Sequence, residues 1–139
     1  METAARQLLL HGSVVLLFGL LFGVPYAKAI KRNASAQIIN SWRVAHLSLP
    51  IGATLMLAVA AILGFLQVGN GVKWALAGSL IISSYAFCIS TPLAAITGDR
   101  GLASSGKGLA RLVYIGNMIG AWTSLAAAGL LLYSACLSL

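Results

Sequence analysis

Apolar residues gather in four long blocks, at about 8–29, 46–67, 73–97 and 109–137, separated by short polar stretches. A hydrocarbon core of about 30 Å needs roughly 20 apolar residues per helix, and each block meets that length. The pattern predicts an all-α fold, an integral membrane bundle of four transmembrane helices forming a single domain over 1–139. Four spans leave almost nothing outside the bilayer, so any chemistry belongs within the helices or at their edges. Arg6 ahead of the first block gives it the look of a secretory leader. Its length of about 20 residues and its lack of a small-residue cleavage site instead predict a retained first helix.

Composition agrees with that class: of 139 residues, 60% are hydrophobic and only 8% charged. The formal net charge of +7 is spread over short loops, without a basic face interleaved with aromatics, so a nucleic-acid partner is not expected. The charge does predict topology. Lys28, Lys31, Arg32 and Arg43 flank the first long loop, and Arg100, Lys107 and Arg111 the second, leaving Arg6 and Lys73 for the other side. The positive-inside rule then places both long loops in the cytoplasm and both termini in the periplasm, in a bacterial inner membrane. Asn33-Ala34-Ser35 matches a glycosylation sequon, which carries no meaning on a cytoplasmic loop. Cys88 and Cys136 have no CxxC or Cys/His spacing and read as inert thiols.

Small residues recur at packing intervals: Gly12, Gly19 and Gly23 in the first block, Ser79 and Ser83 in the third, Gly116 and Gly120 in the fourth. Such spacing lets helix backbones approach closely, within one bundle or between copies. A chain this small buries a modest interior, so a cofactor-sized pocket is easier to build between subunits, and a homo-oligomer is expected.

Few polar side chains lie at membrane depth. Serine and threonine satisfy themselves on the carbonyl one turn back and carry little information. Asn117 cannot do so as easily, and reads either as an interhelical hydrogen bond or as a substrate-orienting group. Tyr85 and Tyr114 present an apolar ring with a polar tip, suited to a pocket wall or to helix packing. With Glu2 and Asp99 the only acidic residues, carboxylate acid/base catalysis is nearly excluded; Asp99 beside Arg100 reads as a loop ion pair or helix cap.

The histidines are His11 and His46. His11 fits the headgroup level at the start of the first helix. His46 follows Trp42, an interfacial anchor, and precedes Pro50 and Gly52, which open space beside the helix. Ionisable residues in membrane spans are functional candidates, and imidazole is the commonest metal ligand. A ligand or catalytic role and a structural role both remain open at this point. No Cys, acidic pair or second His is near in sequence, which argues against zinc, a metal needing three or four donors; a haem needs only one or two.

His11-Gly12, Leu21-Phe22-Gly23, Trp42-Arg43-x-Ala45-His46 and Asp99-Arg100-Gly101-Leu102 together resemble the styrene oxide isomerase and hydroxylaminobenzene mutase family of small membrane isomerases. The resemblance implies a homotrimer with ferric haem b between subunits. It makes His46 the axial ligand, with Trp42 and Arg43 of the same motif at the cofactor. It also implies Lewis-acid catalysis of a redox-neutral rearrangement of a small apolar aromatic substrate. In the epoxide isomerase an asparagine six residues after the histidine and a tyrosine in the third helix line the substrate site; here those places hold Gly52 and Thr91. Thr91-Pro92-Leu93-Ala94-Ala95-Ile96-x-Gly98 is instead similar to the mutase. Asn117, Tyr85 and Thr91 are therefore the candidates for the polar catalytic contacts. Aryl hydroxylamine to aminophenol is favoured over epoxide to aldehyde. The alternatives are a non-catalytic haem-binding or electron-transfer subunit, which would call for bis-His ligation by His11 and His46, and a small multidrug-type transporter. A proton-coupled exporter would need an acidic residue at depth, which the sequence lacks.

Overall fold

A computed structural model describes residues 2–104 and 107–139, and over them the secondary structure is helical, without strands. Helix α1 (Thr3–Leu21) is followed, after Phe22, by α2 (Gly23–Lys31). α3 (Ala36–Ile62) ends in a 3-10 turn (Leu63–Phe65), and α4 (Asn70–Thr97) and α5 (Leu109–Leu137) complete the chain. α1 with α2, α3 with its 3-10 turn, α4, and α5 make four apolar spans of 29, 30, 28 and 29 residues. The protein is an integral membrane bundle of four spans, and its outer surface is apolar: Leu17, Ile51, Trp122 and Leu132 are all exposed, as a lipid-facing surface requires.

Each break and boundary has a local cause. Pro25 has no N–H to offer the Leu21 carbonyl, and the first span is interrupted at Phe22, between α1 and α2. α2 ends in a Schellman arrangement: Asn33 takes a left-handed φ of 49°, while Asn33 N–H and Ala34 N–H donate to the carbonyls of Ile30 and Ala29. Ser35 then caps the next helix, its hydroxyl accepting from the Ile38 N–H. So α3 opens at Ala36, ten residues before the start expected from hydropathy, and α1 opens at Thr3 instead of 8. His46 consequently lies about three turns inside a helix, not at its mouth. α3 also continues unbroken through Pro50.

Consecutive spans are antiparallel, and the first runs parallel to α4. A Cβ on Gly12 would meet Met56, one on Gly19 would stand 2.5 Å from the Pro50 ring, and one on Gly23 would stand 3.0 Å from the His46 ring. The glycine stripe of the first span is therefore the seam with α3. α5 uses the same device against α4, where Gly116 faces Ser90 and Gly120 faces the Phe87 ring, and Ser83 Oγ donates to the Gly120 carbonyl at 2.8 Å. The core between these seams is Leu8, Val15, Leu49, Met56, Leu63 and Leu76. At one end of the bundle Lys73 Nζ meets Glu2 Oε1 at 2.8 Å and the Gln67 N–H reaches Ser138 Oγ at 2.8 Å. The opposite end carries the turn at Asn33 and the segment after Gly98, and with them most of the basic residues.

Candidate functional site

His46 sits where the α1/α2 break crosses α3. Its Nδ1 is 2.9 Å from the Gly19 carbonyl oxygen, an acceptor, so Nδ1 donates there and Nε2 is the nitrogen left to meet another group. Gly23 has no side chain, which lets the imidazole lie flat against the helix. Tyr26 covers the ring at 6.1 Å between centroids. One turn back on α3, Trp42 packs against Phe22 at 6.0 Å. Pro50, four residues on, offers no N–H to the His46 carbonyl, so the helix is locally softened at this residue. Among the described residues no group of three or more His, Cys, Asp or Glu could hold a metal ion. His46 is thus a lone imidazole with one nitrogen fixed by a backbone carbonyl. That arrangement orients a ligating histidine and suits a group that brings its own remaining donors.

The opposite face of α3 borders a groove with α4 and α5. Its deeper part, about 430 Å³, is lined by apolar side chains including Leu55, Leu80 and Phe87, with Gly52, Ser84, Thr91 and Asn117 among them. Gly52 opens directly onto free space, since a Cβ there would meet nothing within 4 Å. The outer part, about 370 Å³, is the more polar of the two, with Gln37, Asn40, Arg43, Arg100 and Asn117 in its lining beside Val44 and Ala94. Val44, Thr91 and Asn117 border both parts. Volumes of this size are those of small-molecule pockets.

The expected site residues therefore divide. Thr91 and Asn117 meet at the groove, and Arg43 joins them there, whereas its motif partners Trp42 and His46 border neither part of it. Asn117 Nδ2 donates to the Arg100 carbonyl at 3.0 Å and its amide oxygen has no hydrogen-bond partner among the described residues, whereas Thr91 Oγ1 donates to the Phe87 carbonyl. Tyr85 lies elsewhere: its hydroxyl is 2.9 Å from His11 Nδ1, with the two rings edge to face at 5.6 Å. This His11–Tyr85 pair ties α1 to α4, and nothing in either local sequence announces it across a separation of 74 positions. Tyr114 borders neither part of the groove. Asp99 makes a turn, its Oδ1 accepting from the Gly101 N–H at 2.7 Å; among the described residues it forms no ion pair, so the expectation of a bridge to Arg100 is not met.

The chain is thus a small helical membrane protein with four spans, a lone, oriented imidazole on one face of α3 and a groove of small-molecule size on the other. A sequence model of the family described as styrene oxide isomerase matches residues 4–136, and the chain belongs to that family. That membership supports an isomerase-type function. No individually curated protein matches the chain.

Proposed function

We propose that the chain is a membrane-embedded, haem-dependent isomerase that rearranges a small aromatic, oxygen-bearing substrate without net redox change. The observation that carries this reading is His46: Nδ1 is committed to the Gly19 carbonyl, Nε2 is free, and no second donor stands beside it to build a zinc site. Bound ferric haem b would supply a Lewis acid for the substrate oxygen. His46 would hold it through Nε2, the nitrogen that the Gly19 carbonyl leaves available, with Trp42 one turn away on the same side of α3.

The rest of the chemistry is assigned to the groove. Its apolar walls bind the aromatic ring and exclude water that would trap a cationic intermediate. The free amide oxygen of Asn117 and the small residues Gly52 and Thr91 set the orientation of the polar end. His46 and the groove occupy opposite faces of α3, and His46 borders neither part of the groove. One chain alone does not bring them together, which supports a site completed by a second copy, as in the homotrimer that the resemblance implies. The threonine at 91 favours aryl hydroxylamine to aminophenol, with epoxide to aldehyde the second choice. By the positive-inside rule the end carrying Lys28, Lys31, Arg32, Arg100 and Lys107 is cytoplasmic, in a bacterial inner membrane.

The electron-carrier reading is weaker. His11 lies eight residues before Gly19 on the same helix, about 12 Å along its axis, and is engaged by Tyr85, so the two histidines do not meet within one chain. The transporter reading lacks a proton-coupling carboxylate, since Glu2 and Asp99 lie outside the helices.

The test is an absorption spectrum, oxidised and dithionite-reduced, of protein purified in mild detergent after expression with haem available, beside His46→Ala. A Soret band lost in His46→Ala, followed by turnover of phenylhydroxylamine or styrene oxide by the wild type, is the expected result. A colourless, folded wild type, or full haem retention by His46→Ala, would overturn the reading.

A further inference from the structure

The outer part of the groove is a built cationic mouth. Two arginines, Arg43 from α3 and Arg100 from the segment after α4, border the same 370 Å³ space. Among the described residues the sole salt bridge is Lys73–Glu2, at the other end of the bundle, and neither Glu2 nor Asp99 borders this space. The arginines therefore face a cavity with no protein anion in it. The segment carrying Arg100 is held over the mouth at two points. Gln37 Nε2 donates to the Gly98 carbonyl and Asn117 Nδ2 to the Arg100 carbonyl at 3.0 Å. Left-handed glycines at 98 and 101 allow the tight path between them. A Cβ on Gly101 would stand 2.5 Å from Val113 and 2.9 Å from the Asn117 amide, so the segment is packed down on α5 and does not hang free.

Below the mouth the walls turn apolar without a partition, since Val44, Thr91 and Asn117 border both parts. Guanidinium groups bind carboxylate and phosphate through paired, charge-assisted hydrogen bonds, and at the edge of a bilayer the reduced dielectric strengthens them. Basic pockets between membrane helices at the positive end are also where acidic headgroups bind. We propose that Arg43 and Arg100 form an anion subsite, so that the groove takes an anionic amphiphile: a carboxylate or phosphate at the mouth and an apolar body of roughly aromatic size in the deeper part. Such a subsite gives the pocket a preference for acid-bearing aromatic compounds over neutral ones, and it fixes which end of the molecule points inward. The role in substrate choice rests on the groove being the substrate pocket; the subsite itself does not.

Binding, not turnover, is therefore the readout, so a chain that passes this test and lacks isomerase activity sinks the functional reading alone. The full chain in dodecyl maltoside is titrated with 4-phenylbutyrate and with its neutral counterpart 4-phenylbutanol, following the thermal midpoint. The acid is expected to bind at least about tenfold more tightly. Arg43→Gln and Arg100→Gln are each expected to lose about tenfold in affinity for the acid, the worth of one charged hydrogen bond, with little change for the alcohol. Lys107→Gln, a cation outside the cavity, keeps the wild-type preference. Native mass spectrometry from nanodiscs of equal phosphatidylglycerol and phosphatidylcholine separates the sources. Phosphatidylglycerol that is retained by the wild type, lost in both arginine variants and displaced by phenylbutyrate assigns the anion to a lipid headgroup. Phenylbutyrate binding without retained phosphatidylglycerol assigns it to a free acid. Equal binding of acid and alcohol, or a preference unchanged in both arginine variants, or one lost equally in Lys107→Gln, would overturn the subsite.

Discussion

The imidazole Nδ1 of His46 stands 2.9 Å from the Gly19 carbonyl oxygen, and Gly23, one turn further along the first span, lies against the same ring. One span thus holds the ring at one nitrogen and leaves room for its width. The room is narrow, because a Cβ on Gly23 would come to 3.0 Å from Cε1 and 3.5 Å from Nε2. Gly23→Ala is expected to push the ring from its place, lowering haem occupancy in the purified protein while the thermal midpoint falls by no more than overpacking of about 1–3 kcal/mol implies. Gly64→Ala, where the added methyl meets nothing within 4 Å, serves as the comparison and should match the wild type in both. Full haem occupancy in Gly23→Ala would mean that the ring's placement does not govern binding.

The glycine seams should differ sharply from the open glycines in stability. Gly19→Ala drives a methyl to 2.5 Å from the stiff Pro50 ring, and Gly120→Ala to 2.7 Å from the Phe87 ring. Each is expected to cost about 1–3 kcal/mol, read as a lower denaturation midpoint in mixed detergent. Gly129→Ala meets nothing within 4 Å and sits inside α5, where alanine is the better helix former by roughly 1 kcal/mol; it should be neutral or stabilising. Equal losses at all three positions would show that the seams are not the close contacts.

How far the sequence discloses this molecule is visible at His46. Its candidacy, the four spans and the glycine stripes are legible, because membrane helices need long apolar runs and close helix crossings need small residues. The start of α3 is not. Hydropathy measures where a helix leaves the hydrocarbon, whereas Gln37, Asn40, Ser41 and Arg43 continue the same helix into the polar region under a Ser35 cap. The site's division was equally hidden. Trp42, Arg43 and His46 form one motif in sequence and stand within about 100° of one another around α3, yet Arg43 borders the groove while Trp42 and His46 do not and lie against the first span. Tyr85 had the right chemistry for a pocket wall, but its partner His11 lies far away in sequence and only the fold brings them together.

That pairing separates two of the expected catalytic residues. Tyr85→Phe removes a hydroxyl that bonds His11 away from the groove, so it is expected to cost about 1 kcal/mol of stability and leave kcat/KM within about twofold of the wild type. Asn117→Ala removes both the free amide oxygen at the groove and the tie to the Arg100 carbonyl. Its kcat/KM should fall by at least about tenfold, a loss of about 1.4 kcal/mol in transition-state binding. Steady-state rates on phenylhydroxylamine or styrene oxide decide it; a large loss in Tyr85→Phe with Asn117→Ala active would return Tyr85 to the site.

Two buried serines on α4 should respond in opposite senses. Ser83 Oγ donates to the Gly120 carbonyl across the α4–α5 seam, so Ser83→Ala leaves that link unmade at a cost of about 1 kcal/mol. Ser90, fully buried against Gly116, has a hydroxyl oxygen with no hydrogen-bond partner. Burying an unpaired hydroxyl costs about 1–3 kcal/mol in protein mutational series, and Ser90→Ala removes that cost while leaving the close approach of Gly116 intact. Ser90→Ala should therefore match or exceed the wild-type denaturation midpoint while Ser83→Ala falls below it. The reverse order would show that Ser90 Oγ has found a partner on a neighbouring carbonyl and that the α4–α5 seam is held through it.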